Sequence, residues 1–117
     1  MALVLTSVQV KEARAWVRSL CAEHHVGRAR CDDAQLAISE LIGNALRHGQ
    51  PPVEVDVRWV DDGLLLSVSD TEPQPPRPRS APLSTAEAGR GLHLVQAVAR
   101  SWGSEPVGSG KRVWARV

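Results

Sequence analysis

An α+β fold, with three helices on one face of an antiparallel or mixed sheet, is what this sequence predicts, and three observations predict it. Two stretches with apolar residues at three- and four-residue spacing come early in the chain. Two runs that alternate apolar and polar residues follow, meeting at Asp61-Asp62-Gly63. A third amphipathic stretch and a further pair of short strands come after a proline-rich segment. Elements segregated in this way favour two packed layers. With 117 residues, 43% hydrophobic and 23% charged, the chain suffices for one core and reads as a single domain over residues 1–117.

Leu3 to Leu5 is a short apolar run suited to an edge strand or a packed arm. Thr6-Ser7 offers an N-cap, and from Val8 the residues Ala13, Trp16, Val17, Leu20 and Cys21 mark a first helix to about His25. His24 and His25 then face its last carbonyls. Gly27 breaks the helix, and Asp32 with Gln35 reads as a capping box opening a second one. Gly49-Gln50-Pro51-Pro52 stops that helix.

Val53, Val55, Val57 and Trp59 alternate with Glu54, Asp56 and Arg58, the period of a half-buried strand. The returning strand, Leu64 to Asp70, puts Leu64, Leu66, Val68 and Asp70 on one face, so a carboxylate ends the strand at the core edge. Residues 71–88 carry Pro73, Pro75, Pro76, Pro78 and Pro82 and form a loop long enough to be a lid. Gly89-Arg90-Gly91 opens a third helix with Leu92, Leu94, Val95, Val98, Ala99 and Trp102 on its apolar face, and Gly103 ends it. A short run at Glu105 to Val107, a Gly108-Ser109-Gly110 turn and a strand from Lys111 to Val117 complete the fold, with Val113, Ala115 and Val117 on one side.

A net charge of +1 gives no electrostatic case for nucleic acid or an anionic membrane as partner. Only two of the fourteen cationic residues are Lys, a bias that fits a GC-rich genome. Cys21 and Cys31 lack metal-ligand spacing and read as idle thiols. The first residues are too short an apolar run for a signal peptide, and no later run approaches a membrane span, so the expected setting is the cytoplasm.

The chemistry gathers in Ser39-Glu40-Leu41-Ile42-Gly43-Asn44-Ala45-Leu46-Arg47-His48-Gly49. Glu40, Asn44 and His48 fall four residues apart and drift only roughly 80° around a helix. They share a stripe bordering the apolar arc of Ala34, Ile38, Leu41 and Ala45. A carboxylate can act as base, an amide oxygen can ligate Mg²⁺ and an imidazole can meet phosphate. The plainer alternative is an amphipathic helix with a wet face. Gly89-Arg90-Gly91 before a helix is a ready phosphate cradle. It follows a loop and lacks a third glycine, so it is no dinucleotide fingerprint, and Gly110-Lys111 lacks the residues of a Walker loop.

Taken in order, ELIGNALRHG, VSDTEPQPP, a proline loop and GRGLHLV resemble the N-box, G1 box, ATP lid and G2 box of the GHKL (histidine kinase-like) ATPases, whose two-layer architecture is the Bergerat-type ATP-binding fold. Within that group the chain is similar to small bacterial anti-sigma factor serine kinases and their stand-alone actinobacterial relatives. The resemblance implies ATP and Mg²⁺ as cofactors. It assigns Glu40 as catalytic base or water positioner, Asn44 as metal ligand, His48 as a phosphate contact and Asp70 as acceptor of the adenine amino group. Gly89 and Gly91 would form the phosphate-cradling turn beside Leu92, with Arg90 a further phosphate donor. Arg77 and Arg79 in the lid read as solvated.

Two positions depart from the pattern: Glu72 stands where a glycine is usual, and Arg112 where a small hydroxyl residue is expected. The activity implied is a serine kinase acting on a STAS-type anti-anti-sigma protein, with that protein or a sigma factor as partner and a homodimer as a further expectation. The alternative is a non-catalytic module that sequesters a regulatory partner. The catalytic half of a histidine kinase is a third reading, set lower because no dimerisation or phosphoacceptor segment precedes the first helix.

Overall fold

In the computed structural model, which describes residues 2–5, 10–73 and 90–117, the chain runs β1 (Ala2–Leu5), α1 (Val10–Glu23), α2 (Arg28–His48), β2 (Val53–Val60), β3 (Gly63–Asp70), α3 (Arg90–Val98), β4 (Ser101–Val107) and β5 (Gly110–Arg116). The strands form one sheet in the order β1-β2-β3-β5-β4, antiparallel at every pairing. Leu3–Leu5 therefore belongs to an edge strand, opposite Val53 to Val55. The expected N-cap at Thr6-Ser7 and most of the proline loop lie outside the described residues.

Alternation decides which way each strand faces. Val53, Val55, Val57, Leu64, Leu66, Val68, Val113, Ala115 and Val117 are all buried and form one layer of the core. Ala13 and Val17 of α1, Ala34, Ile38, Leu41 and Ala45 of α2 and Leu92 and Val95 of α3 form the other. The opposite face of the sheet carries Arg58, Arg112, Trp114 and Arg116 around an open trough of about 430 Å³. Charges there pair among themselves, Arg58 with Asp56 and Arg112 with Glu105 at 3.3 Å.

Two boundaries differ from the sequence expectation. The second helix begins at Arg28, with Gly27 as its N-cap in an extended conformation and no side-chain cap, so Asp32 and Gln35 are not a capping box. Its first bond runs from the Cys31 N–H to the Gly27 carbonyl at 3.0 Å, drawing the helix-forming residues Arg28, Ala29 and Arg30 into the first turn. Tertiary contacts reward that longer helix. Arg30 donates to the carbonyls of Asp62 and Val117 at 3.0 and 3.2 Å, and Gln35 accepts from Arg18 at 3.0 Å.

The third helix stops at Val98, short of Trp102 and Gly103. Apolar residues at Val98, Ala99 and Trp102 suit a helix and a strand alike over so short a span. Arg100 donates its N–H to the Arg116 carbonyl at 2.8 Å and commits the chain to the sheet, where Trp102 lies opposite Ala115 and Gly103 opposite Trp114. At the end of α1, His24 stacks on Trp59 with ring centroids 4.1 Å apart, a contact that spacing alone does not reveal. Cys21 is buried and Cys31 half-buried, both as free thiols. Burial first, then the neighbouring Cys31, pushes the Cys21 thiol up to about 12. No helix among the described residues is long and apolar enough to cross a membrane.

Candidate functional site

The end of β3, the start of β5 and the C-terminal end of α2 meet at Asp70. Its side chain is 1% exposed, and it lies opposite Lys111 in the β3–β5 register. The Lys111 Nζ donates to Asp70 Oδ1 at 3.0 Å from a side chain itself only 6% exposed. Glu72 N–H donates to the same oxygen at 2.7 Å, and Gln50 N–H approaches it at 3.5 Å. All these donors converge on Oδ1. Among the described residues Oδ2 accepts nothing, so one oxygen is bound into the protein and the other is not engaged by them.

Two glycines make this approach possible. A Cβ on Gly49 would stand 2.5 Å from Asp70 Oδ2 and 2.6 Å from the Ala45 carbonyl, so any side chain there would push the open oxygen away. A Cβ on Gly110 would run into the Asp70 carbonyl oxygen. Thr71 completes the join: its N–H donates to the Gln50 carbonyl at 2.9 Å, and its hydroxyl to the Pro51 carbonyl at 3.0 Å. The chain leaving α2 is thus stitched to the chain leaving β3.

From that corner α2 runs back through the remaining candidates. Asn44 and Glu40 lie roughly 8 and 14 Å along the axis from Gly49, at 1.5 Å per residue. Both are half-buried, whereas His48 is exposed. Their neighbours on the α1 side are tied up: Arg14 donates to the Ser39 hydroxyl at 2.8 Å and Ser39 to the Gln35 carbonyl at 2.8 Å. The side chains of Glu40, Asn44 and His48 make no hydrogen bond or ion pair among the described residues. The site therefore has a free polar row leading to a half-free carboxylate.

The donor set fits a magnesium ion that arrives with a polyphosphate. No group of three or more His, Cys, Asp or Glu able to hold a metal exists among the described residues. One half-buried carboxamide suits Mg²⁺, which keeps most of its shell from phosphate and water. Of the expected phosphate cradle, Gly89 lies outside the described residues, and α3 begins at Arg90. Leu92 is buried in the core, so its side chain anchors the helix and only its backbone N–H, in the first turn, is available to an anion.

Glu72 contributes backbone, its N–H to Asp70 and its carbonyl to Lys111 at 3.2 Å, while its side chain is half-exposed. Arg112 lies on the open face of the sheet, paired with Glu105, away from Asp70. The position beside Asp70 belongs to Lys111, to which the sequence assigned no role beyond the first residue of the last strand. Parity marks it: Lys111 shares the inward face of Val113, Ala115 and Val117, and a lysine in that row needs an acidic partner.

A family model described as the histidine kinase-like ATPase domain matches residues 3–117. The chain is also similar to the signal transduction histidine-protein kinase AfsQ2 of Streptomyces coelicolor, 37% identical over 81 residues. That alignment covers 61% of this chain and 15% of the kinase, so the chain spans a small part of the length of that relative.

Proposed function

Because the chain belongs to the histidine kinase-like ATPase family, we propose that it binds ATP with Mg²⁺ and acts in the cytoplasm as an anti-sigma-type regulator, a serine kinase for a STAS-type anti-anti-sigma protein. The observation that carries this reading is the pairing of a half-free buried carboxylate, Asp70, with the unpaired row of Glu40 and Asn44 along α2. Adenine sits at Asp70 with its amino group donating to Oδ2, and the phosphates extend toward the N-terminus of α3. Asn44 would hold Mg²⁺ through its carboxamide oxygen. Held there, Mg²⁺ would supply positive charge against the phosphates during transfer.

Glu40 orients the attacking seryl hydroxyl and accepts its proton as the oxygen bonds to the γ-phosphorus and the bond to the ADP oxygen breaks. The backbone N–H groups opening α3 would meet the phosphates, and the family resemblance adds Arg90 as a further phosphate donor. A non-catalytic module that sequesters its partner is the alternative in which nucleotide is bound but not consumed. The name of the Streptomyces relative supports a further reading, transfer to a histidine of a partner protein.

One experiment separates the three. Calorimetry with ATP, with and without Mg²⁺, comes first, followed by transfer of labelled phosphate from ATP to candidate STAS proteins. The expected result is Mg²⁺-dependent binding and an acid-stable phosphoserine on a STAS protein, with Glu40→Gln binding ATP normally while transfer falls roughly 10²- to 10⁴-fold. An acid-labile product would move the assignment to a histidine kinase. Tight ATP binding with neither transfer nor hydrolysis would leave the sequestering module.

A further inference from the structure

We propose that Lys111 reads the N1 atom of adenine, so that Asp70 and Lys111 together recognise the donor–acceptor edge of the base. This rests on the reading of the site as an ATP site and adds the residue that sets its base specificity. A lysine ammonium carries three N–H donors and no acceptor. Two are used here, one on Asp70 Oδ1 at 3.0 Å and one on the Glu72 carbonyl at 3.2 Å. Among the described residues the third has no acceptor, although the side chain is only 6% exposed. The ammonium is held in place by two acceptors, and its third N–H is the donor it can offer to an acceptor on a ligand.

The neighbouring atom of the pair supplies the complement. Asp70 Oδ2 accepts nothing among the described residues, and the absence of a side chain at Gly49, whose Cβ would stand 2.5 Å away, leaves the carboxylate in that position. One free acceptor therefore stands beside one free donor, both on the ion pair formed by residues opposite each other in the β3–β5 register. Adenine presents the matching set on its Watson–Crick edge, an amino donor at N6 and a bare acceptor at N1. Guanine and hypoxanthine present an oxygen at position 6 and an N–H at position 1, which sets oxygen against carboxylate and N–H against ammonium. The pair thus selects for adenine at both atoms and rejects the other purines at both.

The test uses the intact chain and three nucleotides. Calorimetry compares ATP with 1-deaza-ATP, which keeps the N6 amino group and loses only N1, and with 7-deaza-ATP as a control at an atom the pair does not touch. Wild-type protein should bind 1-deaza-ATP roughly 10- to 100-fold more weakly than ATP, the worth of a hydrogen bond from a charged donor, and 7-deaza-ATP about as well as ATP. Lys111→Met should bind ATP and 1-deaza-ATP alike. Equal affinity of wild-type protein for ATP and 1-deaza-ATP would overturn the assignment of Lys111 while leaving the nucleotide site intact, and would reduce the lysine to a support for Asp70. Failure of ATP itself to bind would overturn the site and the assignment together. The wild-type comparison decides the matter even if Lys111→Met does not fold.

Discussion

The buried pair of Asp70 and Lys111 should show strong energetic coupling in folding, independent of any nucleotide. Asp70→Asn keeps the shape of the side chain and the acceptor facing the Glu72 N–H, but leaves a buried ammonium without its counter-charge. Lys111→Met leaves a buried carboxylate with backbone donors alone, one at 2.7 Å and one at 3.5 Å. Removing one partner of a buried pair costs about 3–5 kcal/mol, and the surviving backbone bonds place both variants near the lower end. The double variant buries no net charge and loses only hydrogen bonds of about 1 kcal/mol each. It should be far less destabilised than the singles imply, with a coupling energy of about 2–4 kcal/mol. Urea unfolding measures this: at a slope of about 1.5 kcal/mol/M each single variant shifts the midpoint down by roughly 2 M, with unchanged slope. Single effects that add to within about 0.5 kcal/mol in the double variant would refute the argument.

Further outcomes follow from the same geometry. Asn44→Ala should abolish the Mg²⁺-dependent part of ATP affinity and leave folding intact, since Ala is the better helix former; a normal Mg²⁺ enhancement in calorimetry would contradict it. Gly49→Ala should cost about 1–3 kcal/mol in urea unfolding and weaken ATP binding, because its Cβ meets Asp70 Oδ2 and the Ala45 carbonyl, and near-wild-type values for both would show that the corner is looser than drawn. For Cys21 the folded state favours the neutral thiol, up to about 12 against 9.0 ordinarily, so its contribution is complete below pH 9 and is lost as pH rises toward 12. Cys21→Ala should flatten the alkaline fall in urea midpoint, a slope read against a thin background in a chain with no Tyr and two Lys.

What the sequence made legible was periodic. Alternation in Val53–Trp59 and Leu64–Asp70 placed both strands and sent Asp70 inward with Leu66 and Val68, and the structure has all three buried. The four-residue spacing put Glu40 and Asn44 at the margin of the Ile38, Leu41 and Ala45 face, where they lie half-buried. What stayed hidden depends on contacts between distant segments. Gln35 looked like a cap because it stands three residues after Asp32, yet Arg18 of the facing helix holds it, and no local pattern contains that arginine. Trp102 fitted a helix until its pairing opposite Ala115 decided otherwise. Lys111 lay between: its inward parity was readable, but its partner required knowing that β5 pairs with β3.

The position of the ion pair also explains how fold and site share one group without working against each other. A buried carboxylate needs donors, and donors spread over both oxygens would compete with a ligand for its lone pairs. Here the stabilising donors, Lys111 and the Glu72 N–H, converge on Oδ1, and Oδ2 faces the Cα of a residue that must be glycine. On the proposed reading, the carboxylate that would meet the base is thereby fixed before a nucleotide arrives, by β-sheet register on one side and by the end of α2 on the other. Little ordering remains to be done at this end of the site, so base contacts made there translate into affinity with small entropic loss. The same economy makes Asp70 a poor choice for testing recognition alone, since its substitution disturbs fold and binding at once. Changing atoms of the base rather than of the protein separates the two, because 1-deaza-ATP leaves every bond within the Asp70–Lys111–Glu72 cluster in place.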